Sequence, residues 1–284
     1  MPAPVKTFHY RRVKPVNSIF PGAHPGQMIG SGPLFKHHEP LIANPDPRRL
    51  DLRASMLDPF AQYRVRAYQQ KSALTIYLVA DLSASMAFSG HNAKPQILSD
   101  LVNGCAQSAF EYDDKFGFIG CSHPIDTRFL LPACRQPGRT RKLARALLEI
   151  PFKSDSKGLE HAAHHLPVKR SLVFLVSDFH FESQRISRIM HGLSRHDVIP
   201  LVLWDDSEYR DLPQWGIVKY RDMENATTRT LLMRPALKQS IIAAFRQRRR
   251  LLQQCFRAFG AEPLFLNQGY QVEAFNHYFQ QRVL

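Results

Sequence analysis

Leu74-Thr75-Ile76-Tyr77-Leu78-Val79-Ala80-Asp81-Leu82-Ser83-Ala84-Ser85 is the stretch that decides how this chain folds. Its first seven residues form an apolar run with the length and composition of a strand buried on both faces of a parallel sheet. The next five place one carboxylate and two hydroxyls, spaced two apart, where that strand ends. Ligands of open α/β sheets bind at the carboxyl ends of strands. All three groups offer hard oxygens, which suit Mg²⁺ or Ca²⁺ better than Zn²⁺. The stretch therefore predicts a divalent-cation site at the top of a sheet.

Outward from this strand the pattern alternates. Strands are predicted at 74–80, 116–120, 127–131, 171–177, 198–204 and 217–220, and helices at 95–112, 139–149, 156–166, 183–195, 235–259 and 271–282. Pro95 suits a first helical turn and Gly260 a helix C-terminal cap. Interleaved strands and helices imply an α/β fold, a doubly wound, mainly parallel sheet with helices on both faces. The segments 116–120 and 127–131 read as an antiparallel edge hairpin. Residues 1–72 differ: prolines and glycines are dense from Pro15 to Pro47, and Tyr63-Arg64-Val65-Arg66-Ala67-Tyr68 alternates like a strand exposed on one face. They read as an irregular or short-β extension packed on a main domain spanning 73–284.

The chain has 284 residues, and its apolar fraction of 44% is ample for a core. Its first residues lack the apolar core of a signal peptide, and no run approaches the roughly 20 apolar residues of a spanning helix. A soluble, cytoplasmic protein is expected. Cys105, Cys121, Cys134 and Cys255 match no zinc spacing and read as buried thiols. The net charge of 38 − 24 = +14 implies an acidic partner. Arg246, Arg248, Arg249 and Arg250 are the densest basic cluster. They share a stretch with Leu237, Ile241, Phe245, Leu252, Cys255, Phe256 and Phe259, whose spacing predicts an amphipathic helix with the arginines on its solvated face.

Asp81 alone would hold a cation weakly. A second apolar strand, Ser171-Leu172-Val173-Phe174-Leu175-Val176, ends in Ser177-Asp178-Phe179. If the two strands are neighbours, Asp178 and Asp81 converge above the sheet. Ser154-Asp155-Ser156, just before a predicted helix, offers a further hydroxyl. Trp204-Asp205-Asp206 ends another strand, where Asp205 reads as plain loop ahead of a supporting role. His161, His164 and His165 share a helical face, but without an H-E-x-x-H arrangement they read as exposed.

Together these residues resemble a von Willebrand factor A-type (VWA) domain with its metal-ion-dependent adhesion site. Asp81, Ser83 and Ser85 match the D-x-S-x-S element, Met86 continues it, and Asp178 matches the family's later Asp. The family's Thr is replaced by Ser154 or Ser156, with Ser154 favoured because Ser154-Asp155 stands where Thr-Asp often does. Gly30-Ser31-Gly32-Pro33-Leu34-Phe35, the charged piece from Asp46 to Ser55, and Lys169-Arg170-Ser171 extend the likeness to the MoxR-associated bacterial VWA proteins. The resemblance implies Mg²⁺, with Ca²⁺ or Mn²⁺ as substitutes, held by Asp81, Ser83, Ser85, Ser154 and Asp178. It implies a protein partner that donates an acidic residue to the metal, and a MoxR-type AAA+ ATPase as co-worker. It further implies a chaperone-like role in assembly, activation or metal insertion of another complex, methanol dehydrogenase maturation among them.

Other readings are weaker. Without Asp178, the Asp81–Ser85 turn would pass for simple capping of backbone amides. A phosphoryl-accepting Asp81 would need a second carboxylate two residues on, where the chain has Ser83. No G-x-S-x-G elbow and no G-x-x-x-x-G-K-[ST] loop is present. The expectation is a binding protein, not an enzyme; the alternative is a basic nucleic-acid-associated module on the same fold.

Overall fold

The computed structural model describes residues 7–10, 21–30, 34–122, 126–152, 156–221 and 228–282. Contacts divide the chain into two compact units, one of residues 11–74 with 112–114 and one of 1–10, 75–111 and 115–284. Among the described residues no helix is long and apolar enough to cross a membrane.

The first unit holds β1 (Pro21–Gly30), β2 (Leu34–Pro40), a short helix α1 (Leu52–Met56) and β3 (Arg64–Ser72). They form an antiparallel sheet in the order β1-β3-β2, so the Pro/Gly-dense stretch carries real strands. Its irregularity survives as register shifts in the β1–β3 pairing between Pro21 and His24 and between Pro25 and Ile29. Asp51 caps α1 by accepting from the Ala54 amide and also accepts from Arg66 Nε of β3.

The second unit contains β4 (Thr75–Asp81), α2 (Lys94–Glu111), β5 (Lys115–Cys121), β6 (Leu130–Cys134) and α3 (Pro137–Leu148). A 3₁₀ helix at Ser156–His165 leads to β7 (Leu172–Ser177), α4 (Ser183–Gly192) and β8 (Asp197–Val202). Then come β9 (Gly216–Arg221), β10 (Thr228–Met233), α5 (Pro235–Arg257), β11 (Leu264–Phe265) and α6 (Val272–Gln281). The main sheet has six strands in the order β11-β8-β7-β4-β5-β6. All pairings are parallel except β5–β6 at one edge. The doubly wound expectation is met, and the chain order reverses direction between β4 and β7. That reversal is the switch point at which open α/β sheets bind ligands.

Helices cover both faces because the strands are apolar on both. One face packs Tyr77, Val79, Val173 and Leu175 against Leu159, Ile186, Ile189, Leu252 and Phe256, from the 3₁₀ helix, α4 and α5. On the other, Phe174 meets the rings of Phe275 and Phe279 from α6, and of Phe8. Burying each such ring stabilises by roughly 1.5–3 kcal/mol.

Three expectations need correction. Residues 127–129 are a 3₁₀ turn and not strand, because the Asp126 carboxylate accepts from the Arg128 amide and caps it; the edge strand starts at Leu130. The helix at 156–165 is 3₁₀ throughout. Residues 217–220 do form a strand, β9, but it pairs with β10 outside the main sheet, whose sixth strand is the two-residue β11. So short a strand shows no periodicity in sequence.

The four cysteines are free thiols. Cys105 and Cys121 are buried as expected, whereas Cys134 and Cys255 are partly exposed.

Candidate functional site

β4 and β7 run side by side, Ala80 opposite Val176, so their last residues meet at the same end of the sheet. Asp81 is fully buried there. Its Oδ2 accepts from the Ser177 hydroxyl at 2.8 Å, and its Oδ1 accepts from the Ser83 amide at 2.9 Å. The Ser83 hydroxyl is near enough to the same carboxylate to favour its charged form. The chain then turns through a 3₁₀ segment, Ala84–Ala87, which brings the Ser83 and Ser85 hydroxyls to 3.1 Å. Ser85 is in turn near enough to the Asp178 carboxylate to help lower its pKa. Asp81, Ser83, Ser85 and Asp178 therefore gather at the same end of β4 and β7.

Asp178 is held by the chain around it. The indole Nε1 of Trp204, just past β8, donates to the Asp178 carbonyl at 2.9 Å. The next residue, Phe179, has φ +51° with its ring fully buried against Phe256. A left-handed aromatic residue is a genuine backbone outlier. It turns the chain sharply after Asp178, and the Phe179 amide closes the turn on the Ser177 hydroxyl at 3.1 Å.

The electrostatics are asymmetric. Asp178 faces a cation: Nζ of Lys94, the first residue of α2, lies 3.2 Å from its Oδ2 and 3.0 Å from Glu208 Oε1. Burial works against the Asp178 carboxylate, yet Lys94, His180 and the Ser85 hydroxyl together hold its pKa below the ordinary value. Asp81 has no cationic partner among the described residues. Burial first, then the Asp178 charge, push its pKa up from 3.8 to about 6.

This imbalance bears on whether a metal fits. Asp81, Asp178 and Glu208 against Lys94 leave two negative charges uncompensated in a buried region. Two carboxylates and two hydroxyls are hard donors of the kind Mg²⁺ takes. Among the described residues no group of three or more His, Cys, Asp or Glu side chains is gathered to hold an ion, so the hydroxyls would have to complete any shell. The donor set and the charge both fit a divalent cation.

Of the five residues expected from sequence, four are brought together. Ser154 lies outside the described residues; Ser156 opens the 3₁₀ helix. His161, His164 and His165 are exposed, as expected. Asp205 is more than loop: it is buried and accepts from the amides of Asn92 at 3.0 Å, His91 at 3.3 Å and Ser207 at 2.8 Å. It thereby anchors the segment between Ser85 and Lys94. Arg248 also departs from expectation. Its guanidinium donates to the carbonyls of Phe179 and Phe181, while Arg246, Arg249 and Arg250 are exposed. Sequence reading missed Ser177, although its place before Asp178 on an apolar strand was a usable signal. It also missed Lys94 and Glu208, for which no local signal exists.

The sequence profile of the family described as "Protein of unknown function DUF58" matches residues 48–251. A curated relative, "Uncharacterized protein in moxR 3'region" of Paracoccus denitrificans, is 28% identical over 102 residues, covering 36% of this chain and 97% of that protein. Among solved structures, an aerotolerance-related membrane protein from Bacteroides fragilis, carrying multiple mutations to serines, aligns with a TM-score of 0.48 and 12% identity over 74% of this chain and 98% of its own. The SpRpn10 VWA domain aligns with a TM-score of 0.35 and 13% identity over 46% of this chain and 74% of its own. The chain belongs to the DUF58 family.

Proposed function

We propose, from that membership and from the site at the β4–β7 switch point, that the protein is a divalent-cation-dependent adaptor that binds another protein. It is read as working beside a MoxR-type AAA+ ATPase. The observation that carries the reading is the fully buried Asp81 carboxylate, bonded by the Ser177 hydroxyl and the Ser83 amide and met by no cation among the described residues. Asp81, Ser83, Ser85 and Asp178 would hold Mg²⁺, with Ser154 as a fifth donor. The bound ion would supply an exchangeable position that accepts a carboxylate oxygen from a partner. The chain's own groups have binding roles: Ser177 orients Asp81, and Trp204 with Phe179 fixes the direction of Asp178. The Ser177 hydroxyl does lie against the Asp81 carboxylate, but both are fully buried and the same oxygen accepts the Phe179 amide, so the reading is recognition and not catalysis.

The positive charge of the chain favours encounter with acidic surfaces. Similarity to the protein of the moxR 3' region supports a MoxR association. The client side of the proposal is assembly, activation or metal insertion of another complex, methanol dehydrogenase maturation being one form of it.

The test is capture of the MoxR-type ATPase encoded in the same genome, by wild type and Asp81→Ala, in Mg²⁺ and in EDTA. Capture that needs both Mg²⁺ and Asp81 supports the reading. Capture indifferent to both, with DNA binding that weakens steeply with salt and depends on Arg246, Arg249 and Arg250, would favour the nucleic-acid alternative.

A further inference from the structure

Lys94 is in an unusual place for a lysine. It is the first residue of α2, where the positive end of the helix dipole repels a cation, and it is only 3% exposed. Burial alone would drive an ammonium toward its neutral form. Two carboxylates reverse this: Asp178 Oδ2 at 3.2 Å and Glu208 Oε1 at 3.0 Å, which raise its pKa above the ordinary value despite desolvation. Its Nζ also stands 5.4 Å from the centroid of the Phe88 ring.

The two carboxylates belong to different parts of the site. Asp178 is one of the four clustered donors. Glu208 lies in the 3₁₀ turn Asp206–Glu208 beyond β8, and its other carboxylate oxygen faces His180 Nε2 at 3.6 Å. Lys94 thus bridges a donor of the candidate cation site and an acid outside that cluster. A second cation on Asp178 would compete with the ammonium for the same oxygens. A lysine ammonium is a compact point charge on a flexible stem, and Glu208 is already within its reach.

We infer that Lys94 is a tethered competitor that sets the cation affinity of this site: it occupies Asp178 when no metal is bound and retreats to Glu208 when one is. The inference rests on the metal-binding reading above and adds the residue that tunes it. Two substitutions at one ion pair should then act in opposite directions. Lys94→Met removes the competitor and tightens binding, whereas Glu208→Gln removes the retreat position and weakens it. A coupling of this kind is worth roughly tenfold or more in each direction. Lys94→Arg keeps the charge and should stay within a few-fold of wild type.

The experiment is calorimetric titration of the full chain with MgCl₂ and MnCl₂ for wild type and the three variants. It is paired with ¹⁵N detection of the Lys94 ammonium as Mg²⁺ is added. The expected result is tighter binding by Lys94→Met, weaker binding by Glu208→Gln, and a Lys94 resonance that moves with metal. Wild type binding metal with Lys94→Met no tighter, or with an unmoved Lys94 signal, overturns the competitor role and leaves the site reading intact. Absence of binding in both wild type and Lys94→Met sinks the metal reading itself, and this inference with it. If Lys94→Met fails to fold, Glu208→Gln and the wild-type resonance still decide the matter.

Discussion

The hydroxyl of Ser177 donates to Oδ2 of Asp81 across 2.8 Å, so the last residues of two adjacent parallel strands hold each other. The same oxygen of Ser177 accepts from the Phe179 amide at 3.1 Å. One small side chain therefore serves both carboxylate-bearing turns.

Ser177→Ala should remove a donor from a buried carboxylate and orphan a buried amide, lowering stability by about 1–3 kcal/mol. The Ser177 bond is one of the influences that lower the Asp81 pKa, so the loss should be larger at pH 7.5 than at pH 5, where Asp81 carries a proton. Ser177→Thr keeps the hydroxyl and should recover most of it. Denaturant unfolding of the three proteins at both pH values is the measurement; a loss equal at both pH values would detach Ser177 from the charge of Asp81.

Asp81 itself should make the protein less stable in chelator as pH rises. Its folded pKa of about 6 lies above the unfolded value of 3.8. The folded state therefore binds the proton more tightly, and the stability this gives is full below 3.8 and lost as pH climbs through about 6. The shift corresponds to at most about 3 kcal/mol. Asp178 runs the other way, its pKa depressed, so its contribution is lost only under more acidic conditions. In EDTA, Asp81→Asn should match wild type near pH 4 and exceed it at pH 7.5. Saturating Mg²⁺ should invert that order, because wild type gains binding energy the variant cannot. Melting temperatures across pH in EDTA and Mg²⁺ test both halves.

Phe179 has φ +51°, a conformation open to glycine and costly for other residues. Both Phe179→Ala and Phe179→Gly empty a fully buried site and should destabilise by about 3–5 kcal/mol. The usual preference for alanine over glycine should nevertheless reverse, with Phe179→Gly the more stable by about 1 kcal/mol. Equal stabilities, or the ordinary order, would show that the turn after Asp178 relaxes once the ring is gone.

What the sequence disclosed follows from where each residue sits. Asp81 and Asp178 end apolar strands, so run length and a following polar residue were enough to place them. Ser83 and Ser85 came with Asp81 because a turn keeps neighbours together. Lys94 reads from sequence as an ordinary polar residue near a helix start, and only the fold brings Asp178 and Glu208 to it. Arg248 is hidden among arginines that do face solvent, since nothing local marks which one reaches the carbonyls of Phe179 and Phe181. β10 follows a stretch with no alternation, and β11 is two residues long. Residues whose role depends on distant partners were the ones that stayed illegible.

Asp205 should control the site without touching a donor oxygen. Its carboxylate takes the amides of His91, Asn92 and Ser207, and against burial the nearby Ser207 hydroxyl and these amides hold its pKa down at about 2. The segment it anchors joins the Ser85 turn to Lys94 and fits tightly: a Cβ on Gly90 would fall 2.6 Å from Asp205 Oδ1 and 2.2 Å from Ser207 Oγ. Asp205→Ala strands three amides and should cost about 2–4 kcal/mol. With the folded pKa below the unfolded one, the contribution of this carboxylate is present above pH 4 and lost as pH falls toward 2. The gap between wild type and Asp205→Ala should accordingly close in acid. Gly90→Ala should damage the same segment by pushing it off the carboxylate, leaving the charge in place. Faster hydrogen exchange at residues 88–94, together with weaker Mg²⁺ binding in both variants, would show that the segment's position governs the site. Weaker binding in Asp205→Ala alone would assign the effect to its charge instead.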